Sequence, residues 1–181
     1  MNFQQAINAP GFALQTQRLR LVPLEERYFA DYARGMDADV TCFQYPDPFP
    51  SLDAAAGTLS GFCQQHRAGK GLFLAALDAV SGAFLGAVEI SGTDTKTPEI
   101  GLWFCVEAQG KGFGHEALAA VLDFCRRYLE PDYFLYEVDG RNAASVRLAQ
   151  KFGAKSCGCE RITTPSGKTL ALEQYHIGEN T

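Results

Sequence analysis

Three glycines in five positions punctuate the segment Gln109-Gly110-Lys111-Gly112-Phe113-Gly114. A strand-like run, Ile100 to Val106, precedes it, and a helix-like run, Ala117 to Leu129, follows. Without Cβ atoms nothing keeps a ligand off the main chain. The N–H groups of such a turn, with the first turn of a helix behind them, make an anion cradle. Lys111 is the only cationic side chain in the loop. The cradle therefore relies on amides, as a pyrophosphate site can, and the chain is expected to bind a phosphorylated small molecule here.

Two fingerprints fit the loop. Gly112-x-Gly114-x-x-Ala117 matches the dinucleotide pattern G-x-G-x-x-A, and Glu137 lies where a ribose-binding acid would sit. That reading implies an NAD-type oxidoreductase. Its loop should leave the strand directly and open a long βαβαβ series, yet Glu107, Ala108 and Gln109 intervene and little chain follows. The second pattern is Q-x-x-G-x-G, from Gln109 to Gly114. A nucleotide P-loop fails, because Gly69-Lys70-Gly71 has neither the upstream glycine nor a following Ser or Thr.

The 181 residues predict one domain, 1–181, with length enough for a real core. A net charge of −5 argues against a general nucleic-acid or anionic-membrane surface. No apolar run approaches the ~20 residues of a membrane span. Six cysteines are scattered along a chain with no secretory pattern at its start, so reduced thiols and a cytoplasmic location are expected. Cys157-Gly158-Cys159 has no second cysteine pair or H-x₃-H, and His66, His115 and His176 show no ligand spacing, so no metal is expected.

Periodicity supplies the elements. Leu19 to Val22 reads as the first strand. Leu24 to Arg34 reads as an amphipathic helix with Tyr28, Phe29 and Tyr32 inward, and Thr41 to Pro50 as an ordered aromatic loop. Asp53 is expected to cap a helix whose Ala55, Leu59, Phe62, Cys63 and His66 share a face. Leu72–Leu77 and Ala83–Ile90 form a hairpin about Ser81-Gly82, and Glu99–Val106 is the next strand. Phe113, Ala117, Leu118, Val121, Leu122, Cys125 and Leu129 give a strong helical stripe that stops at Pro131. Tyr133–Val138 is a strand. Asn142 caps a helix through Phe152, and residues 155–164 and 169–177 flank a turn at Pro165-Ser166-Gly167-Lys168. The sum is an α/β (α+β) fold: a central mixed sheet of about seven strands flanked by about four helices, with one right-handed crossover after residue 110.

The Q-x-x-G-x-G loop followed by Glu116-Ala117-Leu118, then Asn142-Ala143-Ala144-Ser145-Val146-Arg147-Leu148 and Lys151-Phe152-Gly153-Ala154, resembles the GCN5-related N-acetyltransferase (GNAT) superfamily. Thr16-Gln17-Arg18-Leu19-Arg20-Leu21, Gly82-x-x-x-Gly86 and Pro98-Glu99-Ile100-Gly101 are similar to its Rim branch, which acetylates ribosomal protein N-termini. The resemblance covers about residues 14–178. It implies a three-layer GNAT fold and acetyl-CoA as co-substrate. The acceptor would be a primary amine, either a protein N-terminus or a small molecule, and the protein a monomer or homodimer.

An alkyl amine has a pKa near that of lysine, ~10.4, so a base should take its proton. The resemblance assigns that role to Glu99, with Glu89 on the neighbouring strand as the alternative. It puts the pyrophosphate on Gln109, Gly110, Lys111, Gly112, Phe113, Gly114 and His115. It puts pantetheine and the thioester against Phe104, Cys105, Val106, Asn142 and Lys151, with the amides near Cys105 and Val106 polarising the carbonyl. Cys105 itself reads as a structural thiol. Many relatives carry a tyrosine seven residues after the Asn of this motif, as acid for the leaving thiolate; here Ala149 stands there. Ser145 is left as the acid, or it merely stabilises its helix, just as Asn142 reads equally as a cap. Phe43, Tyr45, Asp47, Glu89 and Trp103 are expected at the acceptor site, the acid among aromatics suiting a cation. A non-catalytic acyl-CoA-binding module remains the alternative to an enzyme.

Overall fold

The computed structural model describes residues 1–178; the last residues of the expected domain, 179–181, lie outside it. The element order is α1 (Phe3–Ile7), β1 (Leu14–Gln15), β2 (Leu19–Pro23), α2 (Phe29–Gly35), α3 (Ala38–Thr41), α4 (Leu52–Ala68), β3 (Gly71–Asp78), β4 (Phe84–Ser91), β5 (Glu99–Phe104), α5 (Phe113–Tyr128), β6 (Phe134–Asp139), α6 (Ala143–Lys151), β7 (Lys155–Thr163) and β8 (Thr169–Ile177). The eight strands form one sheet in the order β1-β2-β3-β4-β5-β6-β8-β7. Only β5–β6 is parallel, across the α5 crossover.

Alternation along the strands divides the core into two layers. Leu72, Leu74, Val88, Ile90 and Ile100 face α1, α5 and α6. Phe73, Ala75, Leu77, Ala87 and Trp103 face α2, α3 and α4. The α5 stripe is buried as its period requires, with Ala117, Leu118, Val121, Leu122 and Cys125 fully covered. Buried His66 fastens α4 to the sheet: its Nδ1 accepts the Phe73 N–H at 3.2 Å, and its Nε2 faces the Ile7 carbonyl at 3.3 Å. Burial pushes the imidazole below its ordinary pKa, in keeping with a neutral structural ring.

The strand and helix counts exceed the expected seven and four because three elements are too short to show a period: α1, β1 and α3. Ser51 caps α4 in place of Asp53, its Oγ accepting the Ala54 N–H at 3.1 Å. The expected helix from Leu24 begins instead as a 3-10 turn, Glu26–Tyr28. β5 ends at Phe104, two residues early, because Cys105 leads into a 3-10 turn at Val106–Ala108. At Gly86 any Cβ would lie 2.2 Å from the Trp103 carbonyl oxygen, so only glycine lets β4 and β5 approach there.

The feature that positions the site is a divergence. β4 and β5 pair over six residues, but β5 and β6 pair only at Glu99–Leu135 and Ile100–Tyr136. Beyond Ile100 the two strands splay, and the sheet opens.

Candidate active site

One cavity, about 320 Å³, lies over the glycine loop and runs along α6. A second, about 220 Å³, lies on the α2 side of the splayed strands. Gln44, Leu102, Trp103, Asn142 and Ser145 line both, so the two cavities meet where β5 and β6 part.

The loop presents its amides without protein partners. Gly112 sits at φ 83°, a left-handed position that suits glycine, and starts α5. Among the described residues, the main-chain N–H groups from Gly110 to His115 meet no protein acceptor. Arg18 fixes the loop from below. Its Nη1 donates to the Lys111 carbonyl at 2.9 Å, its Nε donates to Glu116 at 2.7 Å, and its guanidinium covers the Phe113 ring at 4.6 Å. The trans peptide then turns the Gly112 N–H away from Arg18. Thr16 Oγ1 and the Arg18 N–H also donate to Glu116. Desolvation works to raise this carboxyl, but these bonds outweigh it and hold it below its ordinary value. His115, stacked on Phe152, joins Arg147 and Lys151 at the rim. Unpartnered amides backed by a helix and rimmed by cations fit a CoA pyrophosphate and phosphate.

Parity along β5 decides which groups face the opening. The Cys105 N–H donates to Leu85 O at 2.8 Å, so it is spent on β4. Alternation sends the Leu102 N–H and C=O and the Phe104 N–H the other way, into the gap. The expectation that the amide of Cys105 polarises a thioester therefore fails, by one residue of register. Cys105, Val106 and Lys111 line a neighbouring cavity instead. Burial raises the Cys105 thiol, with Glu107 adding to the rise, which disfavours a nucleophilic thiolate. Gln109 Nε2 caps the Phe104 carbonyl at 3.0 Å.

Three carboxylates, Glu89, Glu99 and Glu137, line the second cavity, and no Lys, Arg or His does. Glu89 stands opposite Gly101 in the register and accepts the Tyr32 hydroxyl at 2.5 Å. Burial raises its carboxyl to about 7; the Tyr32 bond offsets part of that, and Glu99 adds to it. Desolvation and the charge of Glu137 raise Glu99. Phe43, Tyr45 and Trp103 line the same cavity. The Trp103 indole nitrogen is buried beside the Tyr32 hydroxyl without well-formed hydrogen-bond geometry.

Asp47 does not join them. It turns away to the β7–β8 hairpin, where Ser166, Thr164 and Lys168 satisfy it. Nor does Glu137 serve the glycine loop: it lines the second cavity and accepts Gln174 Nε2 at 2.6 Å. With one parallel strand pair and its acid elsewhere, the dinucleotide reading fails.

Asn142 caps α6 as expected, its side chain accepting the Ser145 N–H at 3.2 Å, and also lines both cavities. Ala149 is fully buried, and the position usually held by tyrosine points into the core. A different tyrosine stands at the junction. Tyr136 lines the second cavity. Burial pushes its phenol up to about 12, and the Ser145 side chain offsets part of that. Sequence reasoning missed Tyr136, Tyr32 and Arg147. The i,i+4 spacing of Arg147 and Lys151 was a usable signal, and so was the alternation that puts Tyr136 between Phe134 and Val138; Tyr32 falls on the inner face of its helix, but nothing local marks it as a partner of Glu89.

The family model for the acetyltransferase (GNAT) domain matches residues 18–155. The chain belongs to the GNAT family. Solved structures share its fold. RimL, a ribosomal L7/L12 α-N-protein acetyltransferase in complex with coenzyme A, superposes with a TM-score of 0.80 at 16% identity, over 91% of this chain and 97% of its own. Mycobacterium smegmatis RimJ in complex with CoA-disulfide gives 0.75 at 20%, over 88% and 81%. Spermidine N-acetyltransferase from Vibrio cholerae, in complex with CoA and spermine, gives 0.75 at 18%, over 90% and 96%. No helix among the described residues of this GNAT protein is long and apolar enough to cross a membrane.

Proposed function

We propose that this GNAT protein, of the RimJ/RimL-like branch, transfers an acetyl group from acetyl-CoA to a primary amine by direct attack in a ternary complex. The observation that carries the reading is the meeting of the two cavities at Asn142, Ser145 and Leu102. An anion cradle closes one end and carboxylates line the other, so thioester and amine would approach from opposite faces of the sheet.

Acetyl-CoA would lay its pyrophosphate on the amides of Gly110 to His115 and its pantetheine along the free edge of β5. The Leu102 N–H would polarise the thioester carbonyl. The amine nitrogen forms a bond to that carbon, the C–S bond breaks, and the amine proton passes to a carboxylate. Glu99 stays a candidate base. Glu89 is the better poised, since a base near 7 combines the right protonation state with driving force at neutral pH. The two act as a coupled pair. The thiolate, of pKa about 8.5, is protonated by Ser145, with Tyr136 beside it, or by water. The all-acidic cavity favours a cationic acceptor; spermidine and free peptide N-termini are the two chemistries that the similar structures bring to it.

Isothermal titration with CoA and with NAD, followed by a thiol-release assay with spermidine and a free-amino tetrapeptide, tests the reading. CoA binding and amine-dependent release are expected. NAD binding in place of CoA would overturn it. CoA binding without turnover on any amine would leave the acyl-CoA-binding module.

A further inference from the structure

The acceptor loop is held by a latch that spans the chain. The segment from Cys42 to Pro50 has little main-chain support of its own: the Gln44 N–H donates to Thr41 O, and no other main-chain hydrogen bond falls within it among the described residues. Yet Phe43, Gln44 and Tyr45 wall the acceptor cavity, and Gln44 lines the CoA cavity as well. Something else must fix their position.

Lys168, at the end of the β7–β8 turn, supplies it. Its ammonium spends all three donors: on the Thr41 carbonyl at 2.7 Å, the Gln44 carbonyl at 2.8 Å and Asp47 Oδ1 at 3.1 Å. Asp47 completes the latch by accepting the Ser166 N–H at 3.1 Å, Ser166 Oγ at 2.8 Å and Thr164 Oγ1 at 3.1 Å. Desolvation would raise the Asp47 carboxyl, but the bonds from Ser166, Thr164 and Lys168 hold it at about 2. A second grip lies on the inner side of the loop. Arg141 covers the Phe43 ring at 5.4 Å, and is itself held by Asp139 and the Thr169 carbonyl. Ile162 and Leu172 of the same hairpin line the acceptor cavity, so the latch joins two of its walls.

We propose that Lys168 and Asp47 are positioning residues for the acceptor: they set the width of its cavity by clamping the Phe43–Tyr45 wall to the β7–β8 hairpin. The inference rests on the amine-acceptor reading of that cavity. The latch touches neither the glycine loop nor the carboxylates. Its removal should therefore act chiefly on acceptor binding, because Gln44 is the one clamped residue that also lines the CoA cavity and the amides of the glycine loop are untouched. With its carboxyl held at about 2, Asp47 stays charged near neutrality, so the latch itself adds no titration there.

The test compares wild type with Lys168→Met and Lys168→Arg. For Lys168→Met the KM of spermidine or the tetrapeptide should rise at least ~10-fold, kcat should change less than ~3-fold, and CoA affinity should stay within ~2-fold. Lys168→Arg keeps the charge and should recover part of the loss, incompletely, because a planar fork cannot reproduce three divergent bonds. Hydrogen exchange of the Gln44 amide, which the Thr41 carbonyl protects, measured without any substrate, should accelerate at least ~10-fold in Lys168→Met. Unchanged exchange there overturns the latch, whatever the enzyme does. Faster exchange with an unchanged acceptor KM overturns its role in positioning. If wild type acetylates neither amine while exchange responds as expected, the amine reading fails, and the positioning claim with it, but the clamp stands.

Discussion

Tyr32 and Glu89, 57 residues apart in the chain, meet in a 2.5 Å hydrogen bond from phenol to carboxylate. The bond ties α2 to β4 beneath the acceptor cavity. Burial raises both groups, Glu89 to about 7. A carboxylate that is half-protonated at neutral pH and faces a bound amine is suited to take its proton.

Glu89→Gln is nearly isosteric and removes only the basic site. Its kcat should fall roughly 10²-fold at pH 7.5 with CoA affinity intact. The wild-type rate should rise with pH through about 7, and that limb should vanish in the variant. Glu99→Gln should retain the limb, shifted to lower pH, because one like charge is gone. If Glu99→Gln abolishes the limb and Glu89→Gln does not, Glu99 is the base.

Stability carries the same signature. A carboxyl raised in the folded state contributes stability that is fully present below its ordinary value and lost as pH rises through the folded one. For Glu89 that window runs from about 4.5 to about 7. Thermal melts should show wild type losing more Tm between pH 5 and 8 than Glu89→Gln does. Parallel curves would mean that Glu89 is not desolvated.

Gly112→Asp places a side chain and a negative charge at φ 83° within an anion cradle. CoA affinity should fall at least ~10-fold, about 1.4 kcal/mol, by titration calorimetry. Arg18→Ala frees the Lys111 carbonyl and should weaken CoA by roughly 3–10-fold while leaving the acceptor KM alone. A folded Gly112→Asp protein with wild-type affinity would remove the cradle from the account.

Ser145→Ala should lower kcat only roughly 10-fold, since water can protonate a thiolate of pKa about 8.5. Tyr136→Phe should cost a similar factor if the two hydroxyls act together, and the double variant should cost little more than either. Installing a tyrosine at the usual family position offers no rescue here. Ala149 is fully buried, so Ala149→Tyr should overpack the core and lower stability by ~1–3 kcal/mol or more.

What the sequence made legible follows from where the physics is local. The α5 stripe, the β3–β4 hairpin, the Asn142 cap and the glycine loop are each written in a short window, and each formed. The local failures are confined to helix starts, one strand end and very short elements; those at the site are long-range. Asp47 beside aromatics reads as a cation site until Lys168, 121 positions on, is found to claim it. The choice between the Cys105 and Leu102 amides turns on which face of β5 meets β4, and a strand's pattern cannot state that parity. The gap between β5 and β6 is a property of two strands that part, and no residue in either announces it. Glu89 and Glu99 were both named, but their ranking depends on burial and on Tyr32, which only packing reveals.

The most direct test of the central claim is the initial rate of thiol release over a grid of acetyl-CoA and amine concentrations. Direct attack in a ternary complex predicts double-reciprocal lines that intersect, and no thiol release without amine. Parallel lines, or a stoichiometric burst of thiol before amine is added, would show an acyl-enzyme and contradict the account.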